Sequence, residues 1–112
     1  MQPDWIKEFP AAITVCDNAG IIIGMNDKSA AKFAKDGGYD LIGKNLYDCH
    51  KQTSIDKIKE IMNDKKSNVY TIEKNGLKKF IYQSPYYENG EVKGLVEIVI
   101  EIPFEMPHFV RS

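Results

Sequence analysis

Two Asn-Gly dipeptides, Asn75-Gly76 and Asn89-Gly90, divide the last third of this chain into three runs, 68 to 74, 77 to 87 and 92 to 102, rich in β-branched and aromatic residues. An Asn-Gly pair accepts the two positive φ angles of a tight hairpin turn at little steric cost, so the runs are predicted to form a three-stranded meander. With a two-residue first turn, Glu73 stands opposite Lys78. A bulged turn would shift one strand by a residue and turn its side chains to the other face.

Ahead of the meander, residues 12 to 16 and 21 to 25 read as another hairpin around Asp17-Asn18-Ala19-Gly20, whose residue types suit a turn. Asn26 or Asp27 can then cap a helix at 29 to 35 that sets Ala30, Phe33 and Ala34 on one face and stops at Gly37-Gly38. A second helix, capped by Thr53 or Ser54, presents Ile55, Ile58, Ile61 and Met62 inward. Two strands, helices, then three strands is an α+β order. With 112 residues the chain supplies one domain, with room for one core and one internal cavity. Pro3 to Phe9 is expected to form a short amphipathic helix with Trp5, Ile6 and Phe9 on one side. The expected boundaries are an N-terminal helical cap at 1–10, the folded domain at 11–102 and an irregular tail at 103–112.

The formal charge of -1, with both signs interspersed, gives no field that would draw in nucleic acid or an anionic membrane. The start of the chain has no basic and apolar leader, and the most apolar stretch, Gly94 to Phe104, is interrupted by Glu97 and Glu101. Cys16 and Cys49 stand far apart and in no metal-binding spacing, which fits a reducing, cytoplasmic setting. No nucleophile–base set or phosphate-cradling loop can be assembled, and Asp48 with His50 is only a pair of nearby polar groups, so the chain is not expected to be an enzyme.

Taken in order, Asn26, Gly38-Tyr39 followed by Leu41-Ile42-Gly43-Lys44, Gly94 in the last strand, and Glu101-Ile102-Pro103 resemble a PAS domain over residues 11 to 102. The resemblance implies a five-stranded antiparallel sheet of order 2-1-5-4-3 with its helices on one face. It also implies a sensory or regulatory module, dimeric and coupled to a signalling partner. Cys49-His50 followed by Ser54 and the isoleucine helix is similar to a PAS subgroup attached to bacterial hemerythrin-like domains, although Lys51-Gln52 replaces that subgroup's two prolines.

The family also suggests cofactors to look for. Flavin-binding members place a photoreactive cysteine where this chain has Leu46, and leucine cannot form a thioether, so that chemistry is excluded at this position. Cys49, three residues later, reads as a small buried hydrophobe. Haem-binding members supply a histidine from near the helix before the third strand, which makes His50 a candidate haem ligand; the plain alternative is a loop residue bonded to backbone. No other cofactor is indicated.

Alternation along the last strand sets Val96, Ile98, Ile100 and Ile102 against Leu95, Glu97, Val99 and Glu101. Pattern alone turns the isoleucines inward, whereas the resemblance implies the reverse. On the family reading, a small-molecule cavity would be lined by Phe33, His50, Ile58, Met62, Thr71, Ile81, Gln83, Glu97 and Val99. The outer face would carry Ile13, Val15, Val96, Ile98 and Ile100, covered by the Trp5–Phe9 segment of the same subunit or of a homodimer partner. A ligand-free dimerisation module is the alternative to a sensor.

Overall fold

The computed structural model describes residues 3 to 48 and 50 to 112. Strands β1 (Ala12–Asp17), β2 (Ile22–Met25), β3 (Asn68–Lys74), β4 (Leu77–Glu88) and β5 (Glu91–Ile102) form one antiparallel sheet in the order β2-β1-β5-β4-β3. Both Asn-Gly turns are two residues long, with φ of 54° and 78° at Asn75 and Gly76 and of 52° and 81° at Asn89 and Gly90. Glu73 therefore faces Lys78, and the rest of β3 follows in register.

Helix α1 (Asp27–Lys32) is capped by Asn26, whose side chain accepts from the Ser29 amide. It is shorter than the sequence suggests, because Ala34–Asp36 and Gly38–Leu41 tighten into 3-10 turns around the left-handed Gly37. Helix α2 (Gln52–Asp64) buries Ile55, Ile58 and Ile61 and begins earlier than expected, after Lys51 and without a side-chain cap. These helices pack on the face of the sheet that carries Cys16 and Leu95, and Ile22, Leu46, Ile58 and Ile61 complete the main core. On β5 it is Leu95 and Val99 that are buried, at 5% and 8% exposure, while Val96, Ile98 and Ile100 on the other face are only partly covered. Simple alternation fails here because both faces of β5 are apolar.

The N-terminal segment corrects an expectation: residues 3 to 9 form turns instead of a helix. The Phe9 amide bonds the Ile6 carbonyl, while the carbonyls of Ile6 and Ala11 are taken by the amide of Asn26 at 3.0 and 2.7 Å. The Ile6 carbonyl has no i+4 amide to accept from, because residue 10 is proline, and it bonds Phe9 and Asn26 instead. The segment is held at the start of α1, where the Asp27 amide bonds the Lys7 carbonyl and Lys7 Nζ lies 3.2 Å from the Asp27 carboxylate. Trp5 and Phe9 stack edge to face but stay exposed.

Asp27 also accepts from the Tyr39 hydroxyl, which draws its carboxyl below the ordinary 3.8, with Lys7 adding to the effect, and pushes the Tyr39 phenol up to about 12. A carboxyl whose folded pKa is depressed stabilises the fold above its unfolded value and loses that contribution as pH falls through the folded one. An NMR titration of the Asp27 carboxyl carbon is expected to give a midpoint below 3.8 that rises toward it in Tyr39→Phe. A midpoint unmoved by that substitution would show that the hydroxyl is not the cause.

Residues 103 to 112 carry no regular secondary structure. Among the described residues no helix is long and apolar enough to cross a membrane.

Candidate ligand-binding site

Between the sheet and the helical layer lies a cavity of about 560 Å³. Ile22, Met25 and Leu95 wall it on the sheet side, and Phe33, Leu41, Leu46 and Ile58 on the other. Its polar groups are not scattered. Register places Thr14 opposite Glu97, Glu97 opposite Gln83 and Gln83 opposite Asn68, so one polar row crosses β1, β5, β4 and β3 within an otherwise apolar face.

From Asn68 through Gln83 to Glu97 the row is bonded side chain to side chain. Gln83 Nε2 donates to Glu97 Oε2 at 2.7 Å, and Asn68 Nδ2 donates to Gln83 Oε1 at 2.9 Å. Lys32 Nζ reaches across from α1 to 3.6 Å from Glu97 Oε1, and Thr14 shares a hydrogen bond with the fully buried Ser29. A carboxylate on an inward face requires such partners, since removing a charge from water without them is costly. Burial, and then the charge of Glu97, push the Tyr70 phenol up, so Tyr70 remains a neutral hydroxyl. Burial likewise pushes the Cys16 thiol up, which keeps it protonated and unreactive.

Across the cavity, His50 Nδ1 lies 2.8 Å from the Leu46 carbonyl. A carbonyl only accepts, so Nδ1 carries the hydrogen of this bond and Nε2 is the ring nitrogen left for other contacts. Asp36, Ser54 and Lys57 complete the rim.

Of the residues expected at the cavity, Phe33, His50, Ile58, Gln83 and Glu97 line it. Ile81 and Val99 lie on the same sheet face but in a separate small cluster with Ala12, and Met62 packs against the main core. Thr71 is a correction: it pairs with Phe80 on the opposite face, because the two-residue turn puts Tyr70, not Thr71, opposite Ile81. Tyr70 and Asn68 were therefore missed, although counting back from the Glu73–Lys78 pair would have found both. Cys49 lies outside the described residues. Leu46, at the position of the flavin-reactive cysteine, is buried in the core.

A second depression, beside α2, is lined by Asn18, Asp56, Lys59, Glu60, Met62, Asn63, Asp64 and Val92. Charged and amide side chains make up most of its lining, with Met62 and Val92 among them. Among the described residues no three His, Cys, Asp or Glu side chains are grouped to hold a metal ion.

No protein-family model and no curated protein matches this chain. Solved structures do. A PAS domain from Colwellia psychrerythraea is 22% identical, with a TM-score of 0.61 over 88% of this chain and 91% of that one. A sensory box sensor histidine kinase from Vibrio cholerae is 14% identical, with a TM-score of 0.67 over 90% of this chain and 89% of that one. The Aer2 receptor from Vibrio cholerae, described as a dual PAS-heme oxygen sensor, is 19% identical, with a TM-score of 0.59 over 83% and 95%. The chain has the PAS fold, and strand order and helix placement are those the sequence resemblance implied.

Proposed function

We propose that this domain is a sensory module, not an enzyme, that binds a small organic molecule between its sheet and helices and passes the change to a signalling partner. One observation carries the reading: the cavity of about 560 Å³ has apolar walls and a single polar row ending at Glu97, the mixture small-molecule sites use. The likeness to a sensor histidine kinase supports it at the level of fold. Cys16 as a neutral buried thiol suits a reducing, cytoplasmic compartment.

Titrating the low-molecular-weight fraction of a cell extract onto 15N-labelled protein is expected to move amides of Leu46, Gln83 and Glu97 while leaving Thr71 and Ile100 in place. Movement on the outer face alone would point away from the cavity.

A second reading has its own observation. Trp5 is 62% exposed, Ile6 and Phe9 are exposed as well, and the outer sheet face is only partly covered, which suits association with a second copy. On this reading sedimentation gives a dimer, and Trp5→Ser with Ile6→Ser gives a monomer. A wild-type monomer across the concentration range would remove it.

Haem is the third. The hydrogen bond from His50 Nδ1 to Leu46 orients the ring as a proximal ligand would need. However, the facing wall is a carboxylate and amide row. A Soret band with added hemin that His50→Ala removes would support haem binding, and a band indifferent to that substitution would eliminate His50 as its ligand.

A further inference from the structure

The hydrogens in the polar row have one consistent arrangement. Glu97 as a carboxylate only accepts, so the Gln83 atom 2.7 Å from its Oε2 is the amide nitrogen. Gln83 Oε1 must then accept, and the Asn68 atom 2.9 Å from it is also an amide nitrogen. Asn68 Oδ1 is left as the terminal carbonyl oxygen of the row. On the other wall His50 Nδ1 donates to the Leu46 carbonyl, which leaves Nε2 as the ring nitrogen available to a ligand, an acceptor in the neutral tautomer.

Cavity groups that could donate are mostly engaged or interchangeable. Lys32 is held by Glu97 at 3.6 Å and Lys57 by Glu60 at 3.7 Å. Thr14 is bonded to Ser29, and the hydroxyls of Tyr70 and Ser54 serve either way. Each amide of the row keeps a second N–H, so the interior is not purely accepting, but its strongest acceptor is the Glu97 carboxylate, whose two oxygens keep lone pairs after bonding Gln83 and pairing with Lys32. Because Lys32 already offsets the charge of Glu97, a ligand need not be cationic.

Resting on the cavity reading above, we propose that the site selects a compact neutral molecule that is apolar over most of its surface and donates hydrogen bonds at one edge. A lactam, primary amide or azole N–H has that chemistry, and carboxylates and N-alkylated analogues are disfavoured. A volume of about 560 Å³, at roughly 30 Å³ per water, equals about 19 water-sized volumes, so a ligand of about ten to fifteen non-hydrogen atoms fits with space left over. A ligand that cannot donate displaces water from the remaining lone pairs of Glu97 and returns no hydrogen bond, which is where the discrimination arises.

The test uses matched probes on the full chain: indole against 1-methylindole, benzamide against N,N-dimethylbenzamide, and benzoate, each titrated by 1H–15N NMR. The N–H members are expected to bind about tenfold more tightly than their methylated partners, with benzoate weakest. Glu97→Leu removes the strongest acceptor and frees the Gln83 amide, so the ratio should fall toward one. Glu97→Gln, nearly isosteric, provides the same readout if the leucine variant loses its dispersed spectrum. Equal affinities within each pair, or preference for benzoate, overturn the donor selection while leaving the cavity reading intact. Failure of every probe to move cavity amides overturns both.

Discussion

Replacing Asn26 by alanine is expected to remove roughly 3 to 5 kcal/mol of stability, summed from its cap and its buried bonds. This residue is fully buried, and its amide ties three parts of the molecule together. Oδ1 accepts from the Ile13 amide of β1 at 2.9 Å and from the Ser29 amide of α1 at 3.1 Å, while Nδ2 donates to the carbonyls of Ile6 and Ala11. Losing the cap costs about 1 kcal/mol. Each buried backbone group left without a partner adds about 1 to 3 kcal/mol. A domain of this size is stable by only about 5 to 15 kcal/mol, so the loss is a large share of the total. Urea denaturation should show a much lower midpoint. Asn26→Asp should recover only part of the loss, because it keeps the acceptor but sets a charge against carbonyl oxygens. Asn63→Ala, on the exposed face of α2, should stay within about 0.5 kcal/mol of wild type. If Asn26→Ala unfolds at the wild-type midpoint, the N-terminal segment, β1 and α1 are not joined as described.

Gly94→Ala should be at least as damaging, at about 3 kcal/mol or more. A methyl group built there would sit 1.9 Å from the Cys16 carbonyl oxygen and 2.9 Å from Asp17 Cα. Both are backbone atoms of β1, so no rotamer change relieves the overlap and the strand itself must move. Cys16 pairs with Leu95 and lines the cavity, which means the displacement would also reach the cavity wall. Gly24→Ala provides the contrast, because its new methyl group would meet only the Val15 side chain at ordinary contact distances of 3.7 and 3.8 Å. Thermal unfolding of the two variants should separate them clearly. Equal melting temperatures would contradict the close approach of β1 and β5 at this point.

The features most legible in the sequence were those decided by local backbone chemistry. Asn75-Gly76 and Asn89-Gly90 placed β3, β4 and β5 to within a residue or so, because few other dipeptides accept two positive φ angles in succession. Asn26 was readable as a cap but not as a hub, since its bonds to Ile6, Ala11 and Ile13 depend on chain packing that no local pattern reports. The amphipathic spacing of Trp5, Ile6 and Phe9 did not give a helix because Pro10 cannot donate to the Ile6 carbonyl and the segment is tied down through Asn26 and Asp27.

At the cavity, periodicity misled. Val96, Ile98 and Ile100 look like core residues, yet the chain buries Leu95 and Val99 and sets Glu97 between them. The resemblance to a family supplied what alternation could not. Thr71 was assigned to the wrong face by a single residue of register, and its correction brings Asn68 and Tyr70 into the polar row and its surroundings. His50 and Glu97 were found through the family resemblance, His50 as the imidazole near the helix before the third strand and Glu97 as a carboxylate on the β5 face that the family turns inward. Their bonds to Leu46 and Gln83 emerged only once the fold was built.

Native mass spectrometry of the protein purified without additives tests small-molecule binding most directly. The account predicts a bound species lost on denaturation and absent from Ile58→Trp, whose indole would fill the cavity. A bare-chain mass for the wild type, unchanged after exposure to a cell extract, would contradict it.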